Sequence, residues 1–152
     1  SGIFTVLPVE PPELHDVAPA IERVWAEVGQ GGDLHLEGDR DAQACTRGDA
    51  LDRMLAAVLD NAAKYGRPPV SVALRSGDDL VVIDVTSSGT PGPDDLALAV
   101  EAFYRGEGAV TSAPGLGIGL AVASALAGQD GGRVSVRAEG GDMVASVELP
   151  VR

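Results

Sequence analysis

Apolar residues recur at helical spacing in three stretches of the chain. In the first, residues 17–28, the apolar positions follow one face of a helix. The second begins at Gly48-Asp49 and ends near residue 66, where Arg67-Pro68-Pro69 stops it. The third is a run of alanine, valine and leucine that ends at Gly128. The pattern therefore predicts three main helices.

Alternation of apolar and polar residues predicts strands between these helices. Residues 33–37 alternate as a half-buried strand with His35 facing outward, and two pairs of strands are joined by turns as hairpins. We also expect a strand at 3–6, a linker at 8–12, a loop at 87–93 and a short helix at 94–103. The predicted hairpins are 70–75 with 80–86, which we expect to be largely buried, and 132–138 with 143–149. The order of elements predicts an α/β (α+β) two-layer sandwich, with a mixed, mostly antiparallel sheet covered on one face by about three helices.

The composition limits the classes of function. A chain of 152 residues is the size of one domain, and 23 acidic against 11 basic residues give a net charge of -12, which disfavours nucleic-acid binding. Cys45 is the only cysteine, so an internal disulfide is excluded and a reducing, cytoplasmic setting fits. No apolar run approaches the roughly 20 residues of a membrane span. We expect Ser1-Gly2 to be a cloning remnant and residues 3–152 to form a single domain.

A glycine-rich segment precedes the third helix. Gly115, Gly117 and Gly119 alternate with apolar residues and lead directly into the helix-forming run. Unpaired N–H groups and the dipole at a helix N-terminus favour an anion such as phosphate. Glycine is about one residue in eight of this chain, so chance spacing is the alternative. Residues 105–114, just before it, suit either a mobile lid or an ordinary surface loop.

The second helix carries the only asparagine and the only lysine of the chain. Asn61 and Lys64 lie off its apolar stripe and share a face with Ala57. An amide oxygen can bind Mg²⁺ and a lysine can meet phosphate charge, whereas solvated helix residues are the alternative. Together with the glycine segment, these residues predict a magnesium-nucleotide site.

Four segments resemble, in order, the sequence boxes of the catalytic ATP-binding domain of two-component sensor histidine kinases, which have the Bergerat fold shared with gyrase-type ATPases. Residues 55–65 (LAAVLDNAAKY) are similar to the N box, and residues 87–91 (SSGTP) stand where the first glycine box belongs. Residues 102–106 (AFYRG) resemble the phenylalanine box and the start of the ATP lid, and residues 115–120 (GLGIGL) the second glycine box. The resemblance covers nearly the whole chain.

The resemblance implies ATP and Mg²⁺ as cofactors. Asn61 would be the Mg²⁺ ligand, Lys64 a phosphate-side contact and Arg105 a phosphate contact from the base of the lid. The second glycine box would surround the phosphates with Gly115, Leu116, Gly117, Ile118, Gly119 and Leu120.

On the adenine side, the resemblance implies roles for Tyr65, as a ring beside the nucleotide, and for Gly89, which would approach the base. Ser87 stands where the family has an adenine-binding aspartate. Pro91 replaces the second glycine of the same box, and Ala57 replaces an asparagine that the family usually has one turn before Asn61. We expect Ser87 to bind an adenine amino group more weakly than a carboxylate would.

The resemblance implies transfer of the ATP γ-phosphoryl group to a histidine on a dimerisation domain outside this chain. It also implies that a response regulator is an indirect partner. Neither His15 nor His35 stands in the family's phosphoacceptor sequence. The chain would then be the catalytic domain of a longer, membrane-bound bacterial receptor, monomeric when isolated. Two other hypotheses are an anti-sigma-factor serine kinase and a non-enzymatic protein-interaction domain of the same fold.

Overall fold

Three helices pack on one face of a five-stranded sheet, and a two-stranded ribbon lies beside them. This arrangement comes from a computed structural model, which describes residues 10–88, 100–101, 103–104 and 118–152. The helices are α1 (Val17–Val28), α2 (Ala50–Tyr65) and α3 (Ile118–Gln129). The strands are β1 (Pro12–Asp16), β2 (Leu34–Gly38), β3 (Gln43–Arg47), β4 (Arg67–Ser76), β5 (Leu80–Ser88), β6 (Arg133–Glu139) and β7 (Asp142–Pro150).

The large sheet has the strand order β2-β4-β5-β7-β6. β2 and β4 are parallel, and the other neighbours are antiparallel. The ribbon pairs β1 with β3 in antiparallel register. The predicted two-layer sandwich with a mixed, mostly antiparallel sheet is confirmed.

The core lies between the helices and the sheet. Along β5, Val81, Ile83 and Val85 are buried against the helices, whereas the residues between them are partly exposed on the other face. The helices contribute Ile21 from α1 and Leu120 from α3, both fully buried. This alternation differs from the expectation that both strands of the first hairpin are largely buried, because in the described part of the chain the helices lie on one face of the sheet.

The predicted helices and hairpins form close to their expected bounds, with His35 exposed on β2 as expected. The ribbon was not predicted, because β1 and β3 gain their backbone hydrogen bonds from each other rather than from any local pattern. Residues 87–88, predicted as loop, extend β5 beside β7 and β4. The expected strand at 3–6, most of the short helix at 94–103 and the lid segment at 105–114 lie outside the described residues; Val100, Glu101, Phe103 and Tyr104 have helical backbone.

Candidate nucleotide-binding site

α2 places Asn61 on the inner side of the helical layer. The helix forms because its apolar stripe, including Leu55, Val58 and Leu59, is buried in the core. It ends where Gly66 donates its N–H to Ala62 O at 2.9 Å. Asn61 is only 8% exposed, although its side chain is polar. Burying an amide without hydrogen bonds costs free energy, so we expect the side chain of Asn61 to have a polar partner.

Lys64 lies on the solvent side of the same helix turn. Its Nζ is 3.0 Å from Asp60 Oδ2, and the two side chains are 52% and 37% exposed. An acidic residue four positions before a lysine stabilises a helix modestly. A phosphate that binds Lys64 therefore competes with Asp60 for the ammonium group.

Ser87 lies near the end of β5 with its side chain toward the helices. It is 2% exposed and continues the buried row of Ile83 and Val85. A Cβ added at Gly66 would lie 2.9 Å from Ser87 Cβ and 2.8 Å from Ala62 O. The end of α2 approaches Ser87 this closely only because residue 66 is glycine. The sequence pattern indicates only that a helix ends near Gly66 and does not predict this requirement.

The first turn of α3 lies against the middle of α2. A Cβ added at Gly119 would be 3.7 Å from Ala57 O, which is ordinary contact, so Gly119 is not required there by packing. The first turn contains no acidic residue that would offset the positive end of the helix dipole. Leu120 is fully buried and belongs to the core.

The structure thus brings three predicted parts of the site to the C-terminal half of α2. Asn61 lies one turn after Ala57, which faces α3, and five residues before Gly66, which faces Ser87. Five residues of helix span about 7.5 Å. Tyr65 is the last residue of α2 and Ile118 the first of α3, but their side chains are outside the described part of the structure. The other predicted residues also lie outside it: Gly89, Arg105, Gly115, Leu116 and Gly117.

The described residues can contribute to a magnesium site but do not form one alone. Within the described ranges, no group of three or more His, Cys, Asp or Glu side chains could hold a metal ion. Mg²⁺ is commonly held by one or two protein oxygens, waters and substrate phosphates. The single amide oxygen of Asn61 fits a metal that arrives with a nucleotide.

Comparison with known proteins identifies the family. Residues 46–152 match the family described as "Histidine kinase-, DNA gyrase B-, and HSP90-like ATPase". The chain belongs to this family. It is 30% identical over 130 residues to the signal transduction histidine-protein kinase AfsQ2 of Streptomyces coelicolor, an alignment that covers 84% of this chain and 23% of AfsQ2. The chain therefore spans about a quarter of the length of this relative.

Solved structures show the same relationship. The mycobacterial sensor histidine kinase MprB is 27% identical with a TM-score of 0.67, and the match covers 91% of this chain and 97% of that one. The catalytic domain of histidine kinase ThkA is 16% identical with a TM-score of 0.73, covering 91% and 95%, and supports the fold alone. The chain has the Bergerat fold and is an ATP-binding domain of the sensor histidine kinase type, as the sequence resemblance implied. Among the described helices, none is long and apolar enough to cross a membrane.

Proposed function

We propose that this domain binds Mg-ATP and transfers the γ-phosphoryl group to a histidine on a dimerisation domain outside the chain. The observation that carries the proposal is the buried Asn61, at 8% exposure, on the part of α2 that contacts both the Ser87 end of β5 and the start of α3. A magnesium ion, when bound, would neutralise phosphate charge. Asn61 would provide its protein oxygen.

The remaining site residues act on the two ends of the nucleotide. Lys64 exchanges its ion pair with Asp60 for a phosphate oxygen, and Arg105 binds the terminal phosphates. The phosphates also accept hydrogen bonds from backbone N–H groups at the entrance to α3, those of Gly115, Leu116, Gly117, Ile118, Gly119 and Leu120. Ser87, Gly89 and Tyr65 surround the base. During transfer the bond from the γ-phosphorus to the β–γ bridging oxygen breaks, a bond to a histidine ring nitrogen forms and ADP leaves. The domain's contribution is positioning and charge stabilisation.

The partner domain and the location follow from the same proposal. The histidine-bearing dimerisation domain belongs to the parent kinase, and a response regulator receives the phosphoryl group from it. The domain works on the cytoplasmic side of a membrane-bound receptor. The acidic chain, with a net charge of -12, has no role in nucleic-acid binding.

Titration calorimetry with Mg-ATP tests the proposal. The wild type should bind in the micromolar range, and Asn61→Ala should lose the Mg²⁺-dependent part of the affinity while it keeps its circular dichroism spectrum. The matched control is Asp52→Ala, which removes a polar side chain from the same helix, 45% exposed and paired with Arg23 at 2.7 Å. Asp52→Ala should bind like wild type. Absence of wild-type binding at millimolar Mg-ATP would favour the non-enzymatic interaction domain instead.

A further inference from the structure

Ser87 is a buried polar residue in an otherwise apolar setting. Its side chain lies on the helix-facing side of β5, and its neighbour in the strand pair, Met143 of β7, is buried as well. The other buried residues on this side of β4, β5 and β7 are all apolar: Val70, Val72, Leu74, Val81, Ile83, Val85, Met143, Ala145, Val147 and Leu149. A ligand that reaches Ser87 therefore meets one hydroxyl among apolar side chains.

The acidic side chains of these strands lie on the opposite face of the sheet. Asp84 of β5 and Asp142 of β7 line one cavity on that face, and Glu148 of β7 forms an ion pair with Arg133. In the described residues of β4, β5 and β7, no carboxylate lies on the helix-facing side with Ser87. The hydrogen-bonding character of this position is therefore that of a neutral hydroxyl.

A neutral hydroxyl can form a hydrogen bond in either direction. Among the described residues, no group forms a hydrogen bond with the Ser87 hydroxyl. Serine has one donor and can also accept, whereas an ionised carboxylate only accepts. Adenine carries an amino group at its 6-position, which donates, and guanine carries a carbonyl oxygen there, which accepts. Serine can therefore satisfy either base, while a carboxylate would leave the guanine oxygen without a donor.

We propose that the site accepts GTP as readily as ATP, so that its substrate class is the purine nucleoside triphosphates. This inference rests on the proposed function, in which Ser87 lies beside the base and Asn61 beside the metal. The structure describes both residues: a Cβ added at Gly66, five residues after Asn61 on α2, would lie 2.9 Å from Ser87 Cβ. Strong discrimination between two similar ligands requires a contact that leaves one of them unpaired. The hydroxyl of Ser87 provides no such contact.

Titration calorimetry of the wild-type domain with Mg-ATP and Mg-GTP tests this substrate class. The two dissociation constants should agree within roughly fivefold, because both bonds to the hydroxyl are neutral and of similar strength. A larger preference for either nucleotide would overturn the inference while the proposed function stands. If neither nucleotide binds at millimolar concentration, the proposed function fails and this inference fails with it.

Ser87→Ala tests whether the hydroxyl makes these bonds. It removes the donor and the acceptor together, so both affinities should fall by a similar factor, roughly three- to tenfold, the equivalent of one neutral hydrogen bond. Ser88→Ala is the matched control: Ser88 is the next residue of β5 and lies on the opposite face, so both affinities should stay at wild-type values. Unchanged binding of both nucleotides by Ser87→Ala, or a loss for ATP alone, would also overturn the inference.

Discussion

The two faces of the five-stranded sheet differ sharply in chemistry. The face under the helices is apolar, with Ile83, Val147 and Leu149 fully buried. The opposite face carries ion pairs and a hydroxyl network: Arg75–Asp84 at 2.9 Å, Arg137–Glu139 at 2.8 Å, Arg133–Glu148, and Ser146 donating to Asp84. Both faces are built from the same strands, so the difference comes from the alternation of side chains along each strand.

This contrast shows which polar residues need an explanation. Polar side chains on the helix-free face are solvated or paired, and they contribute little to stability. Ser87 is polar on the helix-facing side at 2% exposure, and Asn61 is polar on the packed helix at 8%. Desolvating such groups costs free energy unless they are hydrogen-bonded. Asn61 near the end of α2 and Ser87 near the end of β5 are therefore the buried polar residues on which the proposed nucleotide site depends.

The largest expected effect on the unfolding free energy comes from shortening a buried valine of β5 to alanine, compared with the same change on the opposite face. Val81 is fully buried and Val82 is partly exposed on the other face. Val81→Ala should cost about 2 to 3 kcal/mol, since two buried carbons are lost and a cavity remains. Val82→Ala should cost less than about 1 kcal/mol. Urea unfolding of both variants measures the difference, and equal losses would contradict the assignment of faces.

The next effect concerns the close approach of α2 to β5. Gly66→Ala would place a methyl group within 3.0 Å of both Ser87 Cβ and Ala62 O, so one element must move. We expect a loss of about 1 to 3 kcal/mol in unfolding free energy, together with weaker ATP binding. The control is Gly128→Ala, where a Cβ meets nothing within 4 Å. The higher helix propensity of alanine should raise its free energy of unfolding by about 0.5 to 1 kcal/mol. If Gly66→Ala binds ATP as the wild type does, the contact between Gly66 and Ser87 does not contribute to the nucleotide site.

A smaller effect is expected from a carboxylate at Ser87. Ser87→Asp should tighten ATP binding roughly tenfold through a charge-assisted hydrogen bond to the adenine amino group. GTP should gain much less because it presents a carbonyl oxygen there. Titration calorimetry with both nucleotides measures this selectivity.

Ser88→Asp is the control for the same strand. Ser88 is the next residue, on the opposite face of β5 and paired with Arg67, so its carboxylate should not change either affinity. Equal gains for ATP and GTP in Ser87→Asp would mean that Ser87 does not face an adenine.

The smallest effect is expected on the helix-free face. Arg75→Ala breaks the ion pair with Asp84, but Arg75 is 65% exposed and Asp84 keeps the hydroxyl of Ser146 as a donor. The unfolding free energy should change by less than about 1 kcal/mol, with nucleotide affinity unchanged. A loss as large as that of Val81→Ala would show that this face contributes more than solvated ion pairs do.

Sequence patterns predicted the elements whose signal is local. The helix at Val17–Val28 and the hairpin of β6 and β7 follow from periodicity and turn residues, and these formed as expected. The ribbon of β1 and β3 was missed because its strands are 27 residues or more apart in sequence at every paired position, such as Asp16 with Gln43. A strand pattern of five residues is also weak alone. The same limit explains why residues 87–88 were expected to be loop.

Some features of the site were decided by the sequence alone. The sole asparagine and sole lysine on α2, the order of the four boxes and the serine in place of an aspartate are readable without coordinates, because residue identity sets which atoms can bind a metal, a phosphate or a base. Tertiary structure decided how these atoms are presented. Asn61 became buried, Gly66 was required by the approach of Ser87, and Tyr104 was tied to Val136, 32 residues away. These contacts join residues distant in the chain, and their energies depend on distances that no local pattern specifies.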